Sequence, residues 1–94
     1  MIKILAKIKL YNVRKTAFVS GYRPLFNFID EMKTSGHITL LDRNEFSPGE
    51  TGKVEIRFLH REYLGKNFSS GVKFTFDEGS EPLGEGEIIK IVQG

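Results

Sequence analysis

No cysteine occurs among the 94 residues, so neither disulfides nor thiolate metal sites can brace the core, a composition compatible with a reducing compartment. A cytoplasmic location is the expectation. No run of 18 apolar residues exists, and the N-terminal apolar positions alternate with Lys3, Lys7 and Lys9. That is the pattern of neither a signal peptide nor a membrane-spanning helix, and no membrane contact is expected. No Gly-x-x-x-x-Gly-Lys-Ser/Thr stretch is present, so the loop that cradles nucleotide phosphates is missing and GTP binding is not expected. Histidine is scarce. His37 and His60 each fall on or beside an expected strand without an acidic partner at ligand spacing, and a lone strand histidine is more often structural than catalytic. Glu85 and Glu87 are same-face strand neighbours, which marks a solvated surface rather than a metal site or a glycosidase pair. No catalytic residue, cofactor or metal is expected.

What is present is a succession of short strands. Ile2, Ile4, Ala6, Ile8 and Leu10 recur with a period of two, the mark of one strand face against a core. Pro24 opens a second strand, with Phe26 and Phe28 on one face and Asn27 on the other; Glu31 to Gly36 reads as turn chemistry before a short strand containing Ile38 and Leu40. Pro48 and Gly49 fit the centre of a type II turn, and Val54, Ile56 and Phe58 alternate with Lys53, Glu55 and Arg57. Arg61 to Ser70 is a surface loop pinned by Leu64 and Phe68, and Val72, Phe74 and Phe76 follow it. A hairpin turn over Asp77 to Ser80 leads to a last strand from Leu83 to Val92, where Gly84 and Gly86 mark a bulge or a close backbone approach.

Six strands with no extended 3.6-residue period predict one all-β domain over residues 1–94, a six-stranded antiparallel barrel. Its expected core is Ile4, Ile8, Phe26, Phe28, Ile38, Val54, Ile56, Phe58, Phe74, Phe76, Ile89 and Ile91. Tyr11, Phe18, Tyr22, Tyr63 and Phe68 are the aromatics left for exposed contacts or for closing the barrel ends. Net charge is only +2, but Lys3, Lys7, Lys9, Arg14 and Lys15 precede any acid, whereas Asp77, Glu78, Glu81, Glu85 and Glu87 cluster near the C-terminus. Opposite signs on adjacent strands stabilise pairing.

The run Gly21, Tyr22, Arg23, Pro24, x, Phe26, x, Phe28, the Ser35-Gly36 pair, the Pro48-Gly49-Glu50 turn, and Gly71, Phe74, Glu78, Gly79, Gly84 and Gly86 occur in order. Together they resemble the C-terminal β-barrel domain of elongation factor Tu over nearly the whole chain. The resemblance implies a non-catalytic binding module, linked to translation, that holds tRNA or another RNA. In the family the tRNA backbone is contacted from positions that are here Leu25, Ser35 and Glu78. Ser35 keeps a hydroxyl and Glu78 is identical, while Leu25 replaces a glutamine. Two family arginines flanking that glutamate are here Asp77 and Glu81, acids expected to weaken RNA binding by repelling phosphates.

The candidate binding residues are therefore Tyr22, Arg23, Ser35, Glu78, Lys3, Lys7 and Lys9, with Arg23 able to address a phosphate in bidentate fashion. A second class remains open: a protein-interaction module unrelated to translation, such as an inhibitor or an immunity-type protein, using the same surface or the Arg61 to Ser70 loop. A continuous basic stripe joining Arg23 to Lys3, Lys7 and Lys9 favours RNA, and an exposed apolar patch favours protein.

Overall fold

A computed structural model describes residues 1–94. The chain is all-β: β1 (Ile2–Leu10), β2 (Leu25–Ile29), β3 (Met32–Ser35), β4 (His37–Leu40), β5 (Thr51–Phe58), β6 (Lys73–Asp77) and β7 (Gly84–Gln93), with one 3₁₀ turn at Arg61–Tyr63. All pairings are antiparallel, in the order β3-β2-β6-β7-β1-β5-β4. The two edge strands are consecutive in sequence and only Gly36 separates them. β3 hydrogen-bonds β2 while β4 hydrogen-bonds β5, and the Ile38 amide also donates to the Tyr22 carbonyl, so the sheet curls until its edges meet. Counted as one bent strand, β3 and β4 make the six staves of the expected barrel.

Glu31 to Gly36 is thus not a turn. Reversal takes only Asp30 and Glu31, the latter in the left-handed region at φ 63°, and β3 starts at once. Its inward residue is Thr34, 6% exposed, and a threonine in place of an apolar residue removed the alternation that betrays a strand. Gly36 faces inward where the strand bends. A side chain there would come within 2.7 Å of both the Phe26 and Phe58 rings, so the barrel closes only on a glycine. At the other named turn, the Glu50 amide donates to the Ser47 carbonyl and Gly49 has φ 87°, as a type II turn requires.

The core is a single cluster drawn from every strand but β3: the even-numbered residues of β1, Val54, Ile56 and Phe58 of β5, and Phe26, Ile38, Phe74 and Phe76 among others. Gly84 and Gly86 lie beneath Phe76 and Phe74, the close approach their position in the last strand implied. Phe28 and Ile91 pack against the cluster from its margin. Ile89 is not core: a register shift in the β1–β7 pair turns Ile88 inward, opposite Ala6, and leaves Ile89 37% exposed. Phe18 and Phe68 are also buried rather than available for contacts. Phe18 and Phe46 exchange both backbone hydrogen bonds and stack at 5.4 Å, stoppering the end where β1 and β4 finish. Phe68 packs on Phe28 and Phe58 at the opposite end. No helix is long and apolar enough to cross a membrane.

Candidate functional site

The strand pairing fixes which polar side chains share the outer surface. Because the inward residues of β1 are even-numbered, Lys3, Leu5, Lys7 and Lys9 point outward; the same parity puts Thr51, Lys53, Glu55 and Arg57 outward on β5. Register places Lys3 opposite Arg57 and Lys7 opposite Lys53. On the far side of β5, Arg57 stands opposite His37. Beyond β4, Ser35 opposes Leu25, and the bonds from Gly36 to Pro24 and from Ile38 to Tyr22 carry that register on. His37 therefore stands opposite Arg23.

The result is a row Arg23, His37, Arg57, Lys3 running across adjacent strands, with neighbours about 4.5–5.5 Å apart at their Cα atoms. It continues along β1 and β5 into Lys7, Lys53 and Lys9. Glu55 is the only acid on this wall, and it is shared by Lys3 at 3.8 Å and Arg57 at 3.9 Å. Arg23, Lys7, Lys9 and Lys53 take no part in the chain's ion pairs. Like charges directly opposite, as in Lys7 and Lys53, destabilise a sheet slightly. Across the other edge of β1, Lys7 faces Glu87 and Lys9 faces Glu85, the opposite-sign pairing anticipated between the two ends of the chain.

Ser35 lies two residues before His37 on the same outward face, beside Leu25, which in turn opposes Asp77. Leu25 and Ser35 are thus neighbours, whereas Glu78 is engaged elsewhere. Asp77 does not present its charge to a ligand, however. It is 1% exposed and accepts hydrogen bonds from Lys33 Nζ at 2.7 Å, Asn27 Nδ2 at 2.8 Å and the Gly79 amide at 2.8 Å. Burial alone would raise its carboxyl; these donors outweigh burial and hold it below the usual carboxylate range. Its charge is met by Lys33, and Glu81 stays exposed and without an ion pair beside this hairpin.

Tyr22 and Glu78 form a separate group. The Tyr22 hydroxyl donates to Glu78 Oε2 at 2.7 Å, and Arg14 pairs with the same oxygen while its guanidinium lies 4.7 Å from the Tyr22 ring centroid. Burial and the hydrogen bond to Glu78 push the Tyr22 hydroxyl far above ordinary tyrosine. Glu78 is thereby neutralised and fixed, and Arg14 clamps the β1–β2 connection to the last hairpin.

Sequence reasoning missed His37, Arg57 and Lys53 as partners of Arg23 and Lys3. Alternation showed that Arg57 and Lys53 face outward, but not that β5 is the strand beside β1. Outside the wall, no group of three or more histidine, aspartate or glutamate side chains is arranged to hold a metal ion. No family model matches the chain.

Proposed function

We propose that the chain is a non-catalytic, translation-linked RNA-binding module, as its resemblance to the elongation factor Tu barrel implies, and that RNA lies along the β4–β5–β1 wall. The observation that carries this reading is the row of basic residues from Arg23 through Arg57 to Lys3, with Lys53, Lys7 and Lys9 further along β5 and β1; Glu55 is the one acid within it, and Glu85 and Glu87 of β7 flank Lys9 and Lys7. Neutralising phosphates and releasing their counterions is the main source of affinity for nucleic acid. No phenylalanine or tyrosine ring lies on this wall, because the phenylalanines fill the core and the barrel ends. The wall therefore addresses backbone phosphates rather than stacked bases.

Affinity for tRNA at physiological salt is expected near ~10⁻⁵ M, the nonspecific range, and should fall with rising salt. Fluorescence anisotropy of labelled tRNA over a salt series tests this. Replacing both Lys7 and Lys53 by Glu should abolish binding, whereas binding insensitive to salt and to that double replacement would refute it.

A protein partner is the second reading, favoured by Met1 and Leu59, both 61% exposed, and by Val92, 52% exposed, at the β1–β5–β7 end of the same wall. Replacing Leu59 by Asp would then abolish partner binding and leave tRNA affinity lowered only by one charge.

A further inference from the structure

His37 sits in an unusual place for a strand histidine. Arg23 faces it from the segment leading into β2 and Arg57 faces it from β5, so its backbone position lies between those of two arginines. The only acid near it is Glu55, diagonal on β5 and already engaged with Lys3 and Arg57; its own strand offers Ser35 and Thr39, which are uncharged. Arg23 and His37 occupy a site between the bonds made by Gly36 and Ile38, the kind of cross-strand pair in which side chains approach most closely. Nε2 of His37 lies over Gly21, 3.8 Å from where a Cβ atom there would sit, and the residue is partly exposed.

Arg57 is the second arginine of the group. Its Nε is enclosed and has no hydrogen-bond partner, while the side chain as a whole is 42% exposed. The guanidinium is held at the surface by Glu55 alone, at a distance too long for a hydrogen bond, which leaves its terminal nitrogens free to donate outward. An arginine, an imidazole and an arginine in line offer a tetrahedral oxyanion donors from two strands and the segment leading into β2.

We infer that Arg23, His37 and Arg57 form a phosphate clasp whose hold on RNA tightens when His37 is protonated. The inference rests on the RNA reading and names the group that reading must grip. An imidazole flanked by two cations and no free acid gains its own proton more readily when a phosphate arrives to neutralise the site, so proton and phosphate bind cooperatively. Imidazole is the one side chain whose ordinary charge change lies in the physiological range. RNA backbone phosphates stay singly charged across that interval, which makes the protein the source of any change.

Two measurements test the clasp. The first is tRNA anisotropy at about pH 5.5 and about pH 8 at fixed ionic strength. Wild type should bind about fivefold tighter at the lower pH, the effect of one added charge pair in water. His37→Gln should remove that difference, and His37→Lys should give the tighter affinity at both pH values. The second is the proton NMR titration of the two histidine rings with sulfate, whose charge is constant over this range, against chloride at equal ionic strength. Sulfate should raise the titration midpoint of His37 and leave that of His60 unmoved.

The clasp is overturned if His37→Gln keeps the pH dependence, or if sulfate moves both rings alike. If tRNA binds without pH dependence and sulfate does not move His37, the clasp fails while RNA binding stands. If sulfate moves His37 alone and tRNA binds at neither pH, the clasp stands and the RNA reading fails.

Discussion

Asp77 illustrates how one residue can change meaning between sequence and structure. In the sequence it is an acid beside a hairpin; in the fold it is the buried acceptor that ties β2, β3 and the last hairpin together through Asn27, Lys33 and the Gly79 amide. Asp77→Asn should therefore cost about 2 kcal/mol, the scale of a lost charged hydrogen bond, read as a lower urea midpoint at pH 7. Asp77→Arg should prevent folding, because it sets a second cation beside Lys33 in a closed site. A carboxyl held below its unfolded value stabilises the fold at pH values above that unfolded value, near ~3.9, and the contribution is lost as pH falls through the folded value. Wild type should thus lose stability as pH falls below about 4, and Asp77→Asn should lose less over the same fall. Equal losses in both would show that Lys33 does not hold the carboxylate.

At the level of elements, the strands whose inward positions are all apolar were legible: β1, β5 and β6 declare themselves by alternation. β3 did not, since Met32, Lys33, Thr34 and Ser35 carry no inward apolar residue, and its place is set by β2 and by the bend at Gly36. The bulge in β7 was equally hidden, because Ile88, Ile89 and Ile91 offer two possible phases and only pairing with β1 selects one. Ile88→Ala should cost about 2 to 5 kcal/mol and Ile89→Ala less than about 0.5 kcal/mol, a contrast that urea unfolding of the two variants checks. If Ile89 were the costlier site, the shifted register would be wrong. Gly36→Ala should cost about 1 to 3 kcal/mol by forcing Phe26 and Phe58 apart. The candidate site was legible in part for the same reason: parity along a strand can be read from sequence, but the row Arg23, His37, Arg57, Lys3 exists only through pairings between residues far apart in the chain.

For the whole molecule, closure by consecutive edge strands makes one core that each stave must complete. Phe58, which touches Phe26 and Phe28 edge-on, is central to it, and Phe58→Ala should cost about 3 to 5 kcal/mol. That is a large share of the stability of a domain this size. The same closure gathers cations from three stretches of chain onto one wall while Lys33 and Arg14 pair with Asp77 and Glu78 elsewhere. A net charge of only +2 conceals this separation. The most direct test of the account is the salt dependence of tRNA affinity for wild type and for the Lys7→Glu, Lys53→Glu double variant. The account predicts that wild-type affinity falls steeply and linearly with the logarithm of salt concentration, and that the variant shows no binding at any salt. A variant that binds tRNA as tightly as wild type, with the same salt slope, would contradict it.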